Sequence, residues 1–214
     1  MKYDTLLFDL DGTLLDTLDD LRDSTNHALR TFGFAERSRE EIRSFVGNGV
    51  CNLMRKAVPA DTPDEVFEAV FAEFRAHYAE HWRDSTQPYP QIMDMLGALK
   101  ARGYRMAVVS NKSDAEVKKL AQDFFGDLLL AAVGDRPGVP RKPEPDAVFR
   151  TLEELGGAPE RALYIGDSEV DVRTARNANV GLVAVSWGFR SRQELVQAGA
   201  DCIIDSPLEL LSLV

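Results

Sequence analysis

Apolar positions along the chain follow two rhythms. Residues 5–8 (Thr-Leu-Leu-Phe) form a short apolar run that stops at Asp9-Leu10-Asp11-Gly12, which reads as a buried strand breaking into a loop. Leu18, Leu21, Ala28, Leu29 and Phe32 then recur at helical spacing before Gly33. Ser38 with Glu41, and Thr62-Pro63 with Glu65, are capping-box patterns, the second with proline at the first helical position, and each predicts a further helix. Val66, Phe67, Val70, Phe71, Phe74 and Tyr78 make the longest amphipathic face. After Pro88-Tyr89-Pro90 short apolar runs alternate with helical patterns, the rhythm of a doubly wound parallel sheet. Runs at 106–109, 128–133, 162–165 and 182–185 predict strands, with a weaker one at 202–204. Ser113 with Glu116, Ser191 with Glu194 and Ser206-Pro207 with Glu209 mark helices between them. The expected fold class is therefore α/β: a doubly wound parallel sheet, a Rossmann-like core built from 1–15 and 84–214, with an inserted helical cap at 16–83. Two linkers, near Asp16 and Arg83, would let such an insertion move as a lid.

Composition narrows the function classes. Of 214 residues, 44% are hydrophobic and 28% charged, the balance of an ordinary globular protein. A net charge of −10 disfavours nucleic acid and anionic membrane surfaces as partners. An anionic metabolite would need local positive charge or a metal. Cys51 and Cys202 match no CxxC or metal-ligand spacing. The N-terminal segment has no basic region and no small-residue cleavage site, so the expected location is cytoplasmic. Monomer and homodimer both remain open.

In a doubly wound sheet ligands bind beyond the carboxyl ends of the strands. Polar residues collect there in this sequence: Asp9, Asp11 and Thr13 after the first run, Ser110-Asn111-Lys112 after the second, and Asp167-Ser168 after 162–165 with Asp171 one turn later. Lys142 precedes a proline-started helix. Four aspartates brought to one edge would repel one another unless a divalent cation sat among them, and oxygen ligation favours magnesium, Mg2+. A carboxylate such as Asp9 can attack phosphorus, and Asp11 can protonate a leaving oxygen. Thr13, Ser110 and Lys142 are expected to hold phosphoryl oxygens, with Asn111 grouped beside them as substrate-binding, and Asp167 to share the metal with Asp9.

Asp-Leu-Asp-Gly-Thr, Val-Ser-Asn-Lys, Lys-Pro-Glu-Pro-Asp and Gly-Asp-Ser-Glu-Val-Asp, in that order, resemble the haloacid dehalogenase superfamily over nearly the whole chain. The 101 residues separating Asp9 from Ser110 (110 − 9) match the branch with a helical cap inserted after the first motif. Within it the chain is most similar to the phosphoglycolate phosphatases, through Leu-Leu-Asp-Thr, Val-Gly-Asn-Gly at 46–49, Ser-Asn-Lys, and Trp-Gly-Phe-Arg at 187–190. The resemblance implies Asp9 as nucleophile, Asp11 as acid and base, Ser110 and Lys142 as phosphate clamps, and Asp167 as a metal ligand. It also implies a metal bond from the backbone carbonyl of Asp11, and places Asp171 in support of the lysine or a metal-bound water. The implied reaction is magnesium-dependent hydrolysis of a small phosphate monoester through an aspartyl-phosphate, on phosphoglycolate or, alternatively, on a nucleotide, a sugar phosphate or pyrophosphate. Asp11 speaks against carbon–halogen and phosphonate cleavage. Val50 stands near the position where sugar phosphomutases carry a cap arginine. Retention of both Asp9 and Asp11 argues against a noncatalytic phosphate-binding module.

Other features have plainer readings. His77-Tyr78-Ala79-Glu80-His81 fits a His-x-x-Glu-His pattern, but without a convincing third ligand it reads as part of the insertion. Gly47-Asn48-Gly49 is a turn between cap helices, expected to place Asn48 over the substrate. Lys112 is read as a solvated lysine, Trp187 and Phe189 as packing aromatics, and Arg190 as a candidate for a substrate carboxylate. Asn179 and Gln91 occupy positions where glycine is usual, and asparagine tolerates the left-handed backbone expected at 179.

Overall fold

The computed structural model describes residues 2–214. The chain forms two compact units, one of Asp16–Gln87 and one of Pro88–Val214 joined by the N-terminal segment ending at Leu15. It runs through β1 (Thr5–Phe8) to β2 (Leu15–Asp16), then α1 (Leu18–Thr31), α2 (Arg39–Phe45), α3 (Val50–Ala57) and α4 (Asp64–His81), and leaves the helical unit through β3 (Gln87–Pro88). Next come α5 (Ile92–Ala101), β4 (Arg105–Ser113), α6 (Asp114–Phe125), β5 (Ala131–Asp135), α7 (Asp146–Leu155), β6 (Ala162–Gly166), α8 (Glu169–Ala178), β7 (Gly181–Val185), α9 (Arg192–Ala198), β8 (Ile203–Ile204) and α10 (Leu210–Leu213).

In the α/β unit six parallel strands lie in the order β5-β4-β1-β6-β7-β8. A strand flanked on both faces by helices has no solvent side, which is why β1 and β6 are continuous apolar runs. Leu6, Leu7 and Phe8 are fully buried, and Leu7, Val109, Val148 and Tyr164 share one core cluster. β1 is central, with Phe8 paired to Val108 on one side and Ile165 on the other. The residues that follow β1, β4 and β6 therefore emerge side by side, as the strand-end rule requires.

Several local expectations change. β5 begins at Ala131 rather than 128, because Gly126–Leu128 forms a 3-10 turn with Gly126 at φ +53°. β4 runs on to Ser113, four residues past the apolar run. The capping boxes of Ser38/Glu41 and Ser191/Glu194 form, but Pro63 itself occupies the cap of α4 and the Thr62 hydroxyl caps nothing. Ser113 gives its hydroxyl to the Glu116 carboxylate, and Ser206 makes no side-chain cap bond. Asn179 does end α8 in the left-handed region, φ +53°, and Gln91 is left-handed too, at +69°. The second boundary of the helical unit falls after Gln87, not at Arg83, because the buried Asp20 carboxylate accepts the Ser85 and Thr86 amides at 2.8 Å each and ties that segment to α1. No helix among the described residues is long and apolar enough to cross a membrane.

Candidate active site

The loop after β1 winds around one carbonyl. Leu10 is fully buried, and its C=O accepts the amides of Thr13, Leu14 and Leu15 at 3.3, 2.9 and 3.0 Å. With Leu10 turned inward, the alternation of an extended backbone leaves Asp9 and Asp11 on the other side together. Gly12 follows at φ +84°, where a Cβ would stand 2.4 Å from Asp167 Oδ2, so only glycine fits this close approach.

Beyond Val109 the register of β4 against β5 shifts until Ser113. Such an irregularity re-aims side chains, and here Ser110 and Lys112 turn into the protein, each 6% exposed. Lys112 is thus not solvated. Its Nζ lies 3.4 Å from Asp11 Oδ1, with side-chain exposures of 3% and 15%. Asn111 is hydrogen-bonded to the backbone of Lys142. Its amide accepts from Lys142 N at 2.9 Å and donates to Lys142 O at 3.0 Å, which fixes the backbone that carries the lysine.

Lys142 is buried among polar partners. Nζ lies 2.8 Å from Asp171 Oδ1, 3.0 Å from Asp9 Oδ1 and 2.9 Å from the Tyr164 hydroxyl, which itself donates to the Val109 carbonyl at 2.9 Å. Burial alone would lower the lysine's pKa, but Asp171 and Asp9 hold it well above the usual range. Asp171 spends its second oxygen on Ser168, accepting the amide at 3.1 Å and the hydroxyl at 2.6 Å, so it caps α8 and supports Lys142 at once. On Asp9, Oδ1 accepts the Leu10 amide at 2.7 Å as well as facing Lys142, and Oδ2 is left open.

Asp167 is 1% exposed. Oδ1 accepts the Thr13 hydroxyl at 2.9 Å and Oδ2 accepts the Phe189 amide at 2.7 Å. Thr13 is fully buried, and its hydroxyl orients Asp167. Trp187 and Phe189 pack as expected, yet they also hold this corner, since the Trp187 indole donates to the Thr13 carbonyl at 3.0 Å. Arg190 is paired to Glu169 at 2.8 Å. Asn48 sits in the exposed turn between α2 and α3 of the helical unit.

Asp9, Asp167 and Asp171 can each place one carboxylate oxygen within 4.8 Å of the others. Four carboxylates faced by the ammonium groups of Lys112 and Lys142 leave a formal charge of −2, the complement of one divalent cation, and the all-oxygen donor set suits magnesium. Without such a cation Asp9 and Asp167 resist ionisation. Burial pushes Asp9 up to about 7, with Lys142 opposing and Asp171 and Asp11 adding, while burial followed by Asp171 and Asp9 holds Asp167 well above the carboxylate range.

This has a consequence for stability. Between the ordinary 3.8 and about 7 the folded state binds more protons at Asp9 than the unfolded chain, so this group makes the metal-free protein less stable as pH rises through that window. Asp9→Asn removes the titration. In chelator the variant is expected to melt about 3–6 °C above wild type at pH 8, on the order of 1–2 kcal/mol, with the gain shrinking as pH falls toward 4. Thermal melts at several pH values check this; a gain that does not depend on pH would contradict it.

A parallel sheet with carboxylates, a lysine and a serine gathered at its strand ends defines a phosphoryl-transfer type of site. The haloacid dehalogenase-like hydrolase family pattern matches residues 6–185, and the chain belongs to that family. It is 34% identical over 211 residues to the phosphoglycolate phosphatase of Aquifex aeolicus, covering 98% of this chain and 95% of that one, and 34% identical over 208 residues to the phosphoglycolate phosphatase of Rhodospirillum rubrum, covering 94% and 86%. Among solved structures, a Lactobacillus delbrueckii subsp. bulgaricus protein superposes with a TM-score of 0.94 at 33% identity, over 100% of this chain and 98% of that one. CbbY from Rhodobacter sphaeroides, solved in complex with phosphate, gives a TM-score of 0.75 at 30% identity, over 97% and 96%.

Proposed function

We propose that the protein is a magnesium-dependent phosphatase that hydrolyses phosphoglycolate through an aspartyl-phosphate on Asp9. The observation that carries this reading is the open Oδ2 of Asp9, held beside buried Lys142 within a carboxylate cluster suited to a divalent cation. The names of the Aquifex and Rhodospirillum relatives support the choice of substrate.

In this mechanism Lys142 and Ser110 hold the oxygens of the transferring group, and the Asp9 carboxylate forms a bond to phosphorus as the ester oxygen leaves. Asp11 gives that oxygen its proton. It then takes a proton from the water that attacks the phosphorus on Asp9, releasing inorganic phosphate and restoring both acids. Magnesium, held by Asp9, Asp167 and the Asp11 carbonyl, would neutralise charge on the phosphoryl group. Thr13 and the Phe189 amide keep Asp167 in place for that role.

The test is phosphate release with magnesium from phosphoglycolate, nucleoside monophosphates, sugar phosphates and pyrophosphate. Phosphoglycolate is expected to show the highest kcat/KM, EDTA to stop turnover, and Asp167→Asn to raise the magnesium concentration for half-maximal rate at least about tenfold. Another ester ranking first overturns the substrate, and undiminished release in EDTA overturns the metal.

A further inference from the structure

Buried lysines are rare because an ammonium group taken out of water needs a counter-charge and well-placed acceptors. This site holds two. Lys142 faces Asp9 and Asp171 and is the expected phosphate clamp. Lys112 is different in origin, brought inward only because β4 runs past its apolar run and shifts register, and its ammonium faces the other loop carboxylate, Asp11, at 3.4 Å. The pairing separates the two acids of the β1 loop: Lys142 lies against Asp9 and Lys112 against Asp11.

We propose that Lys112 is a positioning residue for Asp11, setting the orientation in which that carboxyl meets the leaving oxygen of the substrate and, later, the attacking water. This rests on the role given to Asp11 in the proposed mechanism. Asp11 is two residues from Asp9 in a loop whose inner face is fixed by Leu10, so its side chain can reach the ester oxygen only along a narrow range of directions. The ammonium donates to Asp11 Oδ1 across 3.4 Å, a long contact that favours one direction of the carboxylate electrostatically. Such a residue does not bind the phosphoryl group. It acts on the rate of the proton-dependent step and hardly on substrate affinity.

The experiment compares Lys112→Met, Lys112→Gln and Lys112→Arg, in wild-type and Asp11→Asn backgrounds, on an alkyl phosphate (phosphoglycolate) and on p-nitrophenyl phosphate, whose leaving group needs no proton. With an acid worth roughly 10²–10⁴-fold, misdirecting it is expected to lower kcat on the alkyl ester about tenfold or more. KM should move less than about threefold, p-nitrophenyl phosphate should lose little, and Lys112→Arg should recover much of the rate. In the Asp11→Asn background a Lys112 substitution should cost almost nothing further. Equal losses on both esters, an additive loss in the Asp11→Asn background, or a raised KM with kcat intact would each overturn the proposal. If Lys112→Met does not fold, Lys112→Gln carries the same comparison with a polar end retained. Asp11→Asn alone tests the underlying mechanism: a leaving-group effect there without one at Lys112 sinks only the positioning role.

Discussion

Asp9→Asn is expected to abolish turnover and the covalent phosphoryl adduct together, whereas Asp11→Asn leaves an enzyme that handles only good leaving groups. The two side chains share one loop face and differ in what surrounds them. Asp9 Oδ1 is tied to the Leu10 amide and Lys142, so the carboxylate is held in one rotamer with Oδ2 presented. An amide in the same place keeps the shape but lacks a nucleophilic oxygen, and the loss should reach about 10⁴-fold or more on every ester. Asp11 handles protons only. Its amide variant should lose about 10²-fold or more on phosphoglycolate and less than about tenfold on p-nitrophenyl phosphate. Trapping with substrate, digestion and mass spectrometry should place a phosphoryl group on the peptide carrying Asp9 in wild type, and in the Asp11 variant with the aryl ester. An adduct on Asp11, or equal losses for both esters, would reverse the roles. The chelator melts described above supply the control, since a folded and more stable Asp9→Asn protein cannot owe its inactivity to unfolding.

The main architecture was legible because it rests on local signals. Central strands such as β1 and β6 are short, fully buried runs of mostly apolar residues, and a chain that alternates them with helices has few topologies open to it. Asp9, Asp11 and Asp167 were legible for the related reason that polar residues directly after such runs must emerge at the ligand-binding edge. What escaped depends on groups far apart in sequence. Thr13 was expected to hold a phosphoryl oxygen, and its bond to Asp167 was not foreseen because that acceptor is 154 residues away. The Phe189 contact is made by a backbone amide, and side-chain identity carries no trace of it. Tyr164 did leave a signal, for a hydroxyl inside a fully buried strand requires a partner, but nothing in the strand says that the partners are Lys142 and the Val109 carbonyl. Lys112, expected to be solvated, lies beyond the apolar run, and only the continuation of β4 to Ser113 with its shifted register carries it inward.

Lys142→Met should separate the two tasks of that lysine, stabilising the fold and catalysing the reaction. The Asp171 carboxylate is fully buried, with Lys142 on one oxygen and Ser168 on the other. Taking away the ammonium leaves Asp171 and Asp9 facing each other without their shared cation, and breaking a buried pair on one side costs about 3–5 kcal/mol. The metal-free variant should therefore melt roughly 6–15 °C below wild type for a chain of this size. Asp171→Asn added to Lys142→Met removes the orphaned charge, keeps an oxygen for Ser168, and should return most of that stability. It cannot return catalysis, because the Lys142 ammonium no longer meets the oxygens of the transferring group; kcat/KM should stay about 10³-fold or more below wild type in both the single and the double variant. Thermal melts in EDTA and rates in magnesium, measured on the same preparations, decide it. A double variant that regains turnover would remove Lys142 from the phosphate site, and a single variant as stable as wild type would show that Asp171 has no need of its partner.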